Sequence, residues 1–475
     1  MPGMSKGHTR RSWPDYAAVW RWHFYAGLLC LPFFCWLAIT GSVYLFRPDI
    51  EAWLDRPYES LQLDTPRAAP SAEARAALAA VTGSVLSRYE PPATPTGAAQ
   101  VVVAHDGHLF RAIVHPVSLG IMKLERDDHR PMELLAHLHG QLLLGTYGSM
   151  IVEVAASWGV VMILTGLFLW LPRGRKRLGG LLYPRLGLRG RAFWRDLHSV
   201  AGVWVSLVTL FLLLSGMPWS ANWGRYLTWV RNQWAVTAGT PAWPVGGTTL
   251  TAVGATVPSS STSAHSSMPG MTAAEMAAMS PGTSRRTVGG TPEATLRALD
   301  RLVPVAARLR LPRPVWISAP LDGTTDWSIS SQIQNRPLRV TYTVDPTSGA
   351  VTGTSDFAQQ NIVDKVVNVV IATHEGQLFG RINQAILLLT AVSLLLVSIS
   401  AVVMWWHRRP VGALGAPVPV ARPRTSAMLV FAILALALVL PLFGLSLTVV
   451  LVIDRTLMRR LPGARRWLGL APRTV

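Results

Sequence analysis

The chain has 475 residues, of which 50% are hydrophobic, with 19 tryptophans and a mean hydropathy of +0.31. This composition excludes an ordinary soluble enzyme, because the apolar residues gather in runs long enough to cross a bilayer. A formal net charge of +19 would suggest nucleic acid as the partner of a soluble protein. Here the basic residues lie in short segments beside the apolar runs, which indicates membrane topology instead.

Five apolar runs are predicted to span the membrane, since a span needs about 20 apolar residues. The first run is not predicted to be a cleaved signal peptide, because it is long enough to span and no small-residue cleavage site follows it. In chain order the predicted spans cover residues 22–47, 150–172, 197–222, 381–406 and 425–453.

Basic residues predict the topology of the loops between these spans. The Lys- and Arg-rich segments, which should face the cytoplasm, are 1–21, 173–196 and 407–424. The long segments 48–149 and 223–380 should then face outward. A fifth crossing would place the basic tail 454–475 outside, against the same rule. The last run is broken at Pro441 and could tilt, kink or re-enter, so its topology stays open.

The first and third spans begin with the same histidine motif, which indicates an internal repeat. Trp-Arg precedes a histidine in "WRWHFYAG" (20–27) and again in "WRDLHSVAG" (194–202). One glycine follows each histidine after four residues and another after 14 more. The matching residues are His23, Gly27 and Gly41 in the first motif, and His198, Gly202 and Gly216 in the second.

The second and fourth spans also repeat each other. "HGQLLLG" (139–145) and "HEGQLFG" (374–380) each hold a histidine with a glycine six residues later. Continuing this register places Thr165 opposite Ser400.

The outward segments pair in the same way. A helix is predicted over 71–86 in one and over 291–309 in the other, and alternating strand-like runs follow each helix. The sequence therefore predicts a multi-pass α-helical membrane protein, duplicated as span, outward α+β module and span, with a C-terminal hydrophobic helix.

Four histidines fall into two layers of this arrangement. His23 and His198 lie at the inner ends of their spans, and His139 and His374 lie at the outer face. A single histidine at a helix end is usually a hydrogen-bonded interfacial residue. Repetition of both positions favours paired imidazoles that hold a metal or cofactor between helices.

Haem iron fits two imidazoles better than the other metals do. Zinc normally takes four ligands, and neither layer offers cysteines or a set of carboxylates. Copper is possible with imidazole. A six-coordinate haem needs only two axial histidines. Covalent c-type attachment is excluded because there is no C-x-x-C-H, and Cys30 and Cys35 are interpreted as small buried thiols.

At this point the chain resembles the PepSY-associated transmembrane family over residues 12–408. The resemblance rests on the repeated His-x3-Gly spans, the histidines before spans two and four, and the outward units, the second ending in "VDPTSGAV". It implies PepSY-like modules at 48–149 and 223–380. The family includes dihaem reductases of the bacterial inner membrane that reduce ferric siderophores in the periplasm.

By resemblance, the chain is expected to hold two b-type haems and to carry electrons outward to a ferric siderophore or another ferric chelate for iron uptake. His23 with His198 would ligate the cytoplasmic-side haem, and His139 with His374 the periplasmic-side one. The electron donor would be a quinol or a separate reductase, since no dinucleotide fingerprint is present. The bilayer is a partner and nucleic acid is not.

Some assignments stay open at this stage. His137 could replace His139 as ligand, His407 is a further inner candidate, and other pairings of histidines within a layer are possible. The first module has "VHPVSLGIM" (114–122) where the second has an Asp-Pro-x-x-Gly turn. The glycines of the histidine motifs could admit a macrocycle or simply another helix.

An insert at 239–290 has no counterpart in the first half and is predicted to be disordered. It carries His265 and several methionines, so copper is a second candidate substrate. A non-enzymatic scaffold or binding protein that acts through the outward modules is the alternative function. A transporter is less favoured, because no predicted span holds a buried carboxylate or lysine.

Overall fold

The computed structural model describes residues 15–172, 178–233, 293–320, 326–417 and 427–470. Four of its helices are long and apolar enough to cross a membrane. These helices are α1 (Tyr16–Tyr44), α5 (Gly145–Trp170), α6 (Gly190–Gly216) and α10 (Gly380–Trp406).

The four long helices form one bundle, in which α1 packs on α5 and α6 packs on α10, while α1 also contacts α10 and α5 contacts α6. The bundle core includes Phe34, Ile163 and Leu213. Gly159 sits where α5 crosses this core, and a Cβ there would come within 2.9 Å of the Phe34 ring. A glycine at this position therefore lets the helices approach closely.

A single eight-stranded antiparallel sheet forms the second part of the protein. The strands in chain order are β1 (Val85–Glu90), β2 (Ala99–His105), β3 (His108–Val114), β4 (Ile121–Arg126), β5 (Val315–Ser318), β6 (Trp327–Ser331), β7 (Val340–Val344) and β8 (Val351–Asp356). Their order across the sheet is β4-β3-β2-β1-β5-β6-β7-β8. Helices α3 (Pro70–Ala80) and α8 (Glu293–Leu309) pack on this sheet and share its apolar core.

Shorter helices connect the sheet and the bundle. They are α2 (Arg47–Asp55), α4 (Pro131–Gln141), α7 (Ala221–Gln233) and α9 (Ile362–His374). The helices α4 and α9 lead directly into the spans α5 and α10, so each places its histidine at the sheet side of the bundle.

The predicted helix over 71–86 is too long. The helix α3 ends at Ala80, Gly83 takes a φ of +79°, and residues 85–90 form β1 instead. Strand β1 pairs with β5 through Arg88 with Ser318 and Tyr89 with Ile317. The two outward segments therefore share one continuous sheet, a link that no local pattern in the sequence announces.

The unusual segment "VHPVSLGIM" makes the same kind of turn as "VDPTSGAV". The His115 N–H donates to the Gly120 carbonyl at 2.9 Å, and the Asp345 N–H donates to the Ala350 carbonyl at 2.9 Å. The imidazole Nδ1 of His115 accepts from two backbone N–H groups, as the Asp345 carboxylate accepts from Thr347. Histidine thus replaces aspartate as the acceptor that closes the turn.

The fifth apolar run is not the single hydrophobic helix expected from the sequence. It divides into α11 (Ala427–Val439) and α12 (Pro441–Arg455), with Leu440 between them at φ −121° and ψ 82°. The two helices pack against each other, and Gly444 allows this contact because a Cβ there would lie 2.9 Å from Ala437 Cβ. Pro441 breaks the helix since it has no N–H to donate.

Contacts made by this helical hairpin define where its two ends lie. At the bend, the Trp223 indole donates to the Val439 carbonyl at 2.8 Å, near the sheet side of the bundle. Beyond α12, the short helices α13 (Leu457–Arg460) and α14 (Pro462–Trp467) return the chain to the start of α1. There the Tyr25 hydroxyl donates to the Leu468 carbonyl and Arg21 donates to the Gly469 carbonyl.

The basic tail therefore lies on the same side of the bundle as the start of α1, at the end far from the sheet. A re-entrant hairpin removes the conflict with the positive-inside rule that a fifth crossing would create. Of the alternatives that the sequence left open for this run, a tilt, a kink or re-entry, the hairpin with its bend at Pro441 corresponds to re-entry.

We expect a green fluorescent protein fused after residue 475 to fluoresce as brightly as the same reporter placed in the link between α5 and α6. Green fluorescent protein matures in the cytoplasm. The hairpin places the end of the chain and the α5–α6 link on the same side of the bundle. The same reporter inserted at Gly107, in the β2–β3 turn, is the dark control. A dark C-terminal fusion at equal protein level would show a fifth crossing.

Candidate functional site

Two histidines from different spans face each other near the end of the bundle far from the sheet. His23 lies in the second turn of α1 and His198 lies in the third turn of α6. Their ring centroids are 6.4 Å apart, and the ring planes are nearly perpendicular at 81°. We call this pair the inner pair.

Each imidazole of the inner pair is anchored by the neighbouring span. The Nδ1 atom of His23 lies 3.0 Å from the Met162 carbonyl and 3.1 Å from the Thr165 hydroxyl, both in α5. The Nδ1 atom of His198 lies at the same distances from the Val397 carbonyl and the Ser400 hydroxyl, both in α10.

These hydrogen bonds define the tautomer of both rings. A carbonyl oxygen only accepts, so each Nδ1 carries the hydrogen and donates it, and each Nε2 keeps a free lone pair. An outer partner on one imidazole nitrogen is the usual way to orient a histidine that binds metal through the other. The register of the sequence had already placed Thr165 opposite Ser400.

The spacing of the inner pair fits one metal ion between the rings. If both imidazoles held the same ion, their ring centroids would be about 6 Å apart at most, since each metal–nitrogen bond would be about 2 Å and each nitrogen lies about 1 Å from its ring centroid. The observed 6.4 Å matches this requirement. Two histidines without further protein ligands suit a haem, whose porphyrin supplies the other four nitrogens.

A second pair, the outer pair, lies at the sheet side of the bundle. His139 belongs to the last turn of α4, and His374 ends α9. Each is followed by a backbone reversal, after which Gly145 and Gly380 begin the spans α5 and α10, both at φ +58°. The glycine six residues after each histidine is therefore required by the backbone where the span begins.

Hydroxyl groups of α1 and α6 anchor the outer pair. The Thr40 hydroxyl lies 2.8 Å from Nδ1 of His139, and the Ser215 hydroxyl lies 2.6 Å from Nδ1 of His374. Thr40 donates its own hydrogen to the Trp36 carbonyl, and Ser215 donates to Leu212. Both hydroxyls therefore accept from Nδ1, which leaves Nε2 of each outer histidine free as well.

An apolar cavity of about 280 Å³ lies between the outer histidines, and both rings line it. Its other walls come from all four long helices, for example Phe34, Val152 and Leu394. Burial lowers the pKa of His139 to about 4, and burial with the nearby His139 lowers that of His374 to about 3. Both imidazoles are thus neutral at neutral pH, the form that binds metal.

Glycines near the paired histidines leave room for the imidazole rings, because they have no Cβ. A Cβ on Gly41 would lie 3.2 Å from Cε1 of His139, and one on Gly216 would lie 3.6 Å from Cε1 of His374. A Cβ on Gly202 would meet nothing within 4 Å. Gly166, which the sequence analysis missed, would place a Cβ 3.0 Å from Cε1 of His23. Its position directly after Thr165 was the available signal.

The two other candidate histidines differ from these four. His137 lines the outer cavity, and its Nε2 is buried without a partner among the described residues. Thr40 and Gly41 contact His139 rather than His137, as Ser215 and Gly216 contact His374. His407 is exposed at the end of α10.

Other metal sites find no support in the part of the chain that the structure describes. It contains no group of three or more His, Cys, Asp or Glu side chains that could hold a metal ion. Cys30 and Cys35 are free thiols there, and Cys30 is buried. His265 and the methionines of the insert 239–290 lie outside the described residues.

One carboxylate in a span was overlooked. Glu153 falls inside the predicted second span and inside α5, just before the uncharged run that begins at Val154, and it is 2% exposed. Its carboxylate accepts from the backbone N–H groups of Asn222 and Trp223 and from the Asn222 amide. Glu153 therefore caps the start of α7, where helix N–H groups lack partners. The statement that no span buries a carboxylate was wrong.

Comparison with known proteins adds the family. A family model described as the PepSY-associated TM region matches residues 20–408. The chain belongs to the PepSY-associated transmembrane family. The resemblance drawn from the histidine motifs is thereby confirmed.

The match covers the parts of this PepSY-associated transmembrane protein that carry the two histidine pairs. It includes the four long helices, the sheet and all four anchored histidines, while the hairpin of α11 and α12 lies beyond it. None of the curated proteins compared with the chain matches it.

Proposed function

We propose that this protein binds two b-type haems, one at the inner pair and one at the outer pair, and transfers electrons across the membrane to a ferric chelate such as a ferric siderophore. A bound haem supplies a one-electron carrier at each site. Reduction of the chelate from Fe(III) to Fe(II) consumes one electron and weakens binding by hard oxygen ligands, which releases iron for uptake.

One observation carries the proposal: four imidazoles are anchored through Nδ1 and keep Nε2 free. They form two pairs at opposite ends of one helical bundle. A histidine with only a packing role has no need for such a repeated arrangement. Here Thr or Ser from a neighbouring helix accepts from Nδ1 in all four cases.

We further propose that the chain arose by internal duplication. The first half contributes His23, His139 and strands β1–β4, and the second contributes His198, His374 and β5–β8. The order of strands in the sheet is symmetric about the β1–β5 contact. The anchoring hydroxyls also correspond, since Thr165 matches Ser400 and Thr40 matches Ser215.

The proposed location is the bacterial inner membrane, with the sheet in the periplasm. The links beside the inner pair are rich in Arg, which the positive-inside rule assigns to the cytoplasm. In this orientation the inner pair accepts electrons from a quinol or a separate reductase. The outer pair lies under the sheet, where a chelate could approach.

The test uses protein reconstituted into vesicles that contain a reduced quinol, with a ferric chelate and an impermeant Fe(II) indicator outside. We expect Fe(II) to form many times faster than in vesicles without protein. The His23→Ala/His198→Ala double variant should be as slow as the protein-free vesicles, because it interrupts the path at its inner end. Equal rates for the wild type, the variant and empty vesicles would contradict the proposal and favour a scaffold.

A further inference from the structure

A buried arginine beside the outer cavity has no partner. Arg336 belongs to the short 3-10 turn Arg336–Leu338 between β6 and β7, and the residue is 6% exposed. Its Nε is buried without a hydrogen-bond partner, and its side chain makes no hydrogen bond or ion pair with any residue that the structure describes. A buried guanidinium without a counter-charge is expensive, so such groups normally have one.

The other buried arginines of the sheet show this contrast. Arg88 and Arg111 both bind Asp127, with Arg88 at 2.5 Å and Arg111 at 2.8 Å. Arg111 also contacts Glu90 at 3.0 Å. The other two buried arginines of the sheet are therefore each paired with a carboxylate. Arg336 has no such partner among the described residues.

A second cation lies next to Arg336. Arg339 donates from Nε to the Ile333 carbonyl at 2.7 Å and has no carboxylate within ion-pair distance among the described residues. Burial and, to a smaller extent, the nearby Arg336 lower the pKa of Arg339 to about 10, against the opposing effect of Glu375. Two guanidinium groups that repel each other thus lie close together, with Glu375 nearby but with no carboxylate of the described residues in ion-pair contact with either of them.

The pair lies close to the outer cavity. The turn at 336–338 packs on α9, the helix that ends at His374. Arg339 is within electrostatic range of Tyr44 and Glu375, which both line the cavity. Neither arginine lines the cavity itself, so an anion held by them would lie beside Tyr44 and Glu375 at its edge.

We propose that Arg336 and Arg339 form a binding site for a carboxylate ligand at the edge of the outer cavity. The identity of the ligand rests on the proposed function, because a ferric chelate with carboxylate arms and a haem propionate both present this chemistry. Guanidinium groups bind carboxylates through short charge-assisted hydrogen bonds, often two at once. Just before this turn, the side-chain amide oxygens of Gln334 and Asn335 are buried without a hydrogen-bond partner among the described residues, and they could accept from N–H or O–H donors of a chelate.

The first test asks whether the buried guanidinium of Arg336 lacks a charged partner within the protein. In protein freed of haem and without added ligand, the Arg336→Met variant should unfold at a temperature no lower than the wild type, since it loses an uncompensated buried charge. A clearly lower unfolding temperature would show that Arg336 is held by the protein itself, which overturns the site.

The second test compares Arg336→Gln with Arg381→Gln in detergent-purified full-length protein. Arg381 is the matched control, because it is an exposed arginine paired with Asp49 at 2.7 Å on the same side of the bundle. Binding of ferric citrate, binding of a ferric trihydroxamate without free carboxylates, and haem content are measured for each protein.

A chelate carboxylate predicts that Arg336→Gln weakens ferric citrate binding about tenfold or more and leaves the trihydroxamate and the haem content unchanged. A haem propionate predicts loss of haem from the outer pair with both chelates unaffected. No change in any readout, or the same change in Arg381→Gln, overturns the inference. A protein that lacks haem but shows the citrate effect would keep this site and reject the proposed function.

Discussion

The His374→Ala protein is expected to purify with about one b-type haem in place of two. The variant lacks one of the two Nε2 atoms of the outer pair whose lone pair is free to bind haem iron. His198→Ala should also lose about one haem, but from the inner pair. The double variant should then be nearly free of haem. A pyridine haemochrome assay, referred to protein concentration, measures the content of each variant.

The control for this series is His407→Ala, which removes an exposed histidine at the end of α10 and should keep both haems. Single variants that retain the wild-type content would contradict ligation by the two pairs. If His374→Ala and His198→Ala affected the same haem, both histidines would belong to one site, which their anchors on opposite ends of the bundle argue against.

Removing one hydroxyl should weaken haem binding at the outer pair without touching a ligand. Ser215→Ala deletes the acceptor that lies 2.6 Å from Nδ1 of His374. Loss of such an outer partner typically costs 10–100-fold in affinity, since the ring is no longer held in orientation and tautomer. We expect faster transfer of one haem to an excess of apomyoglobin, with the second haem unaffected.

Two variants make this result specific. Ser215→Thr should behave as the wild type, because the hydroxyl that anchors His139 belongs to a threonine, Thr40. Ser206→Ala removes a hydroxyl of the same helix that donates only to the Gly202 carbonyl, and it should have no effect. Equal haem loss in Ser206→Ala and Ser215→Ala would mean that the effect comes from the stability of α6.

The site could be anticipated from sequence because its parts repeat at fixed spacing. Histidine and glycine recur at the same spacings in two spans, and this repetition argues against a coincidence. Thr165 and Ser400 could be aligned by register alone, and the structure places them on Nδ1 of His23 and His198. Such features can be predicted from local periodicity, because a helix converts a fixed spacing in the sequence into a fixed position on one of its faces.

The features that were missed depend on contacts between distant segments. The pairing of β1 with β5 joins residues more than 200 positions apart, and the first two residues of β1 were assigned to the end of the helix predicted over 71–86. Nothing in the sequence distinguishes Arg336 from an ordinary surface arginine, because burial is a property of the fold. Pro441 was visible as a break, but the direction in which the chain continued depended on packing against α5 and the start of α1.

Glu153 shows a different limit. The uncharged run of the second span begins at Val154, so Glu153, just before it, was not counted as a buried carboxylate of the span. The helix includes it because α7 offers free N–H groups at its start, which satisfy the carboxylate inside the bundle. Hydropathy describes the preference of a residue for lipid, whereas this residue faces protein.

The electron paramagnetic resonance spectrum of the oxidised, purified protein tests the central claim most directly. Two pairs of histidines with free Nε2 atoms predict low-spin ferric signals from two haems per chain, each with bis-imidazole ligation. High-spin signals would mean that one axial position is not occupied by histidine. A protein that shows no haem signal after expression with ample haem would contradict the account.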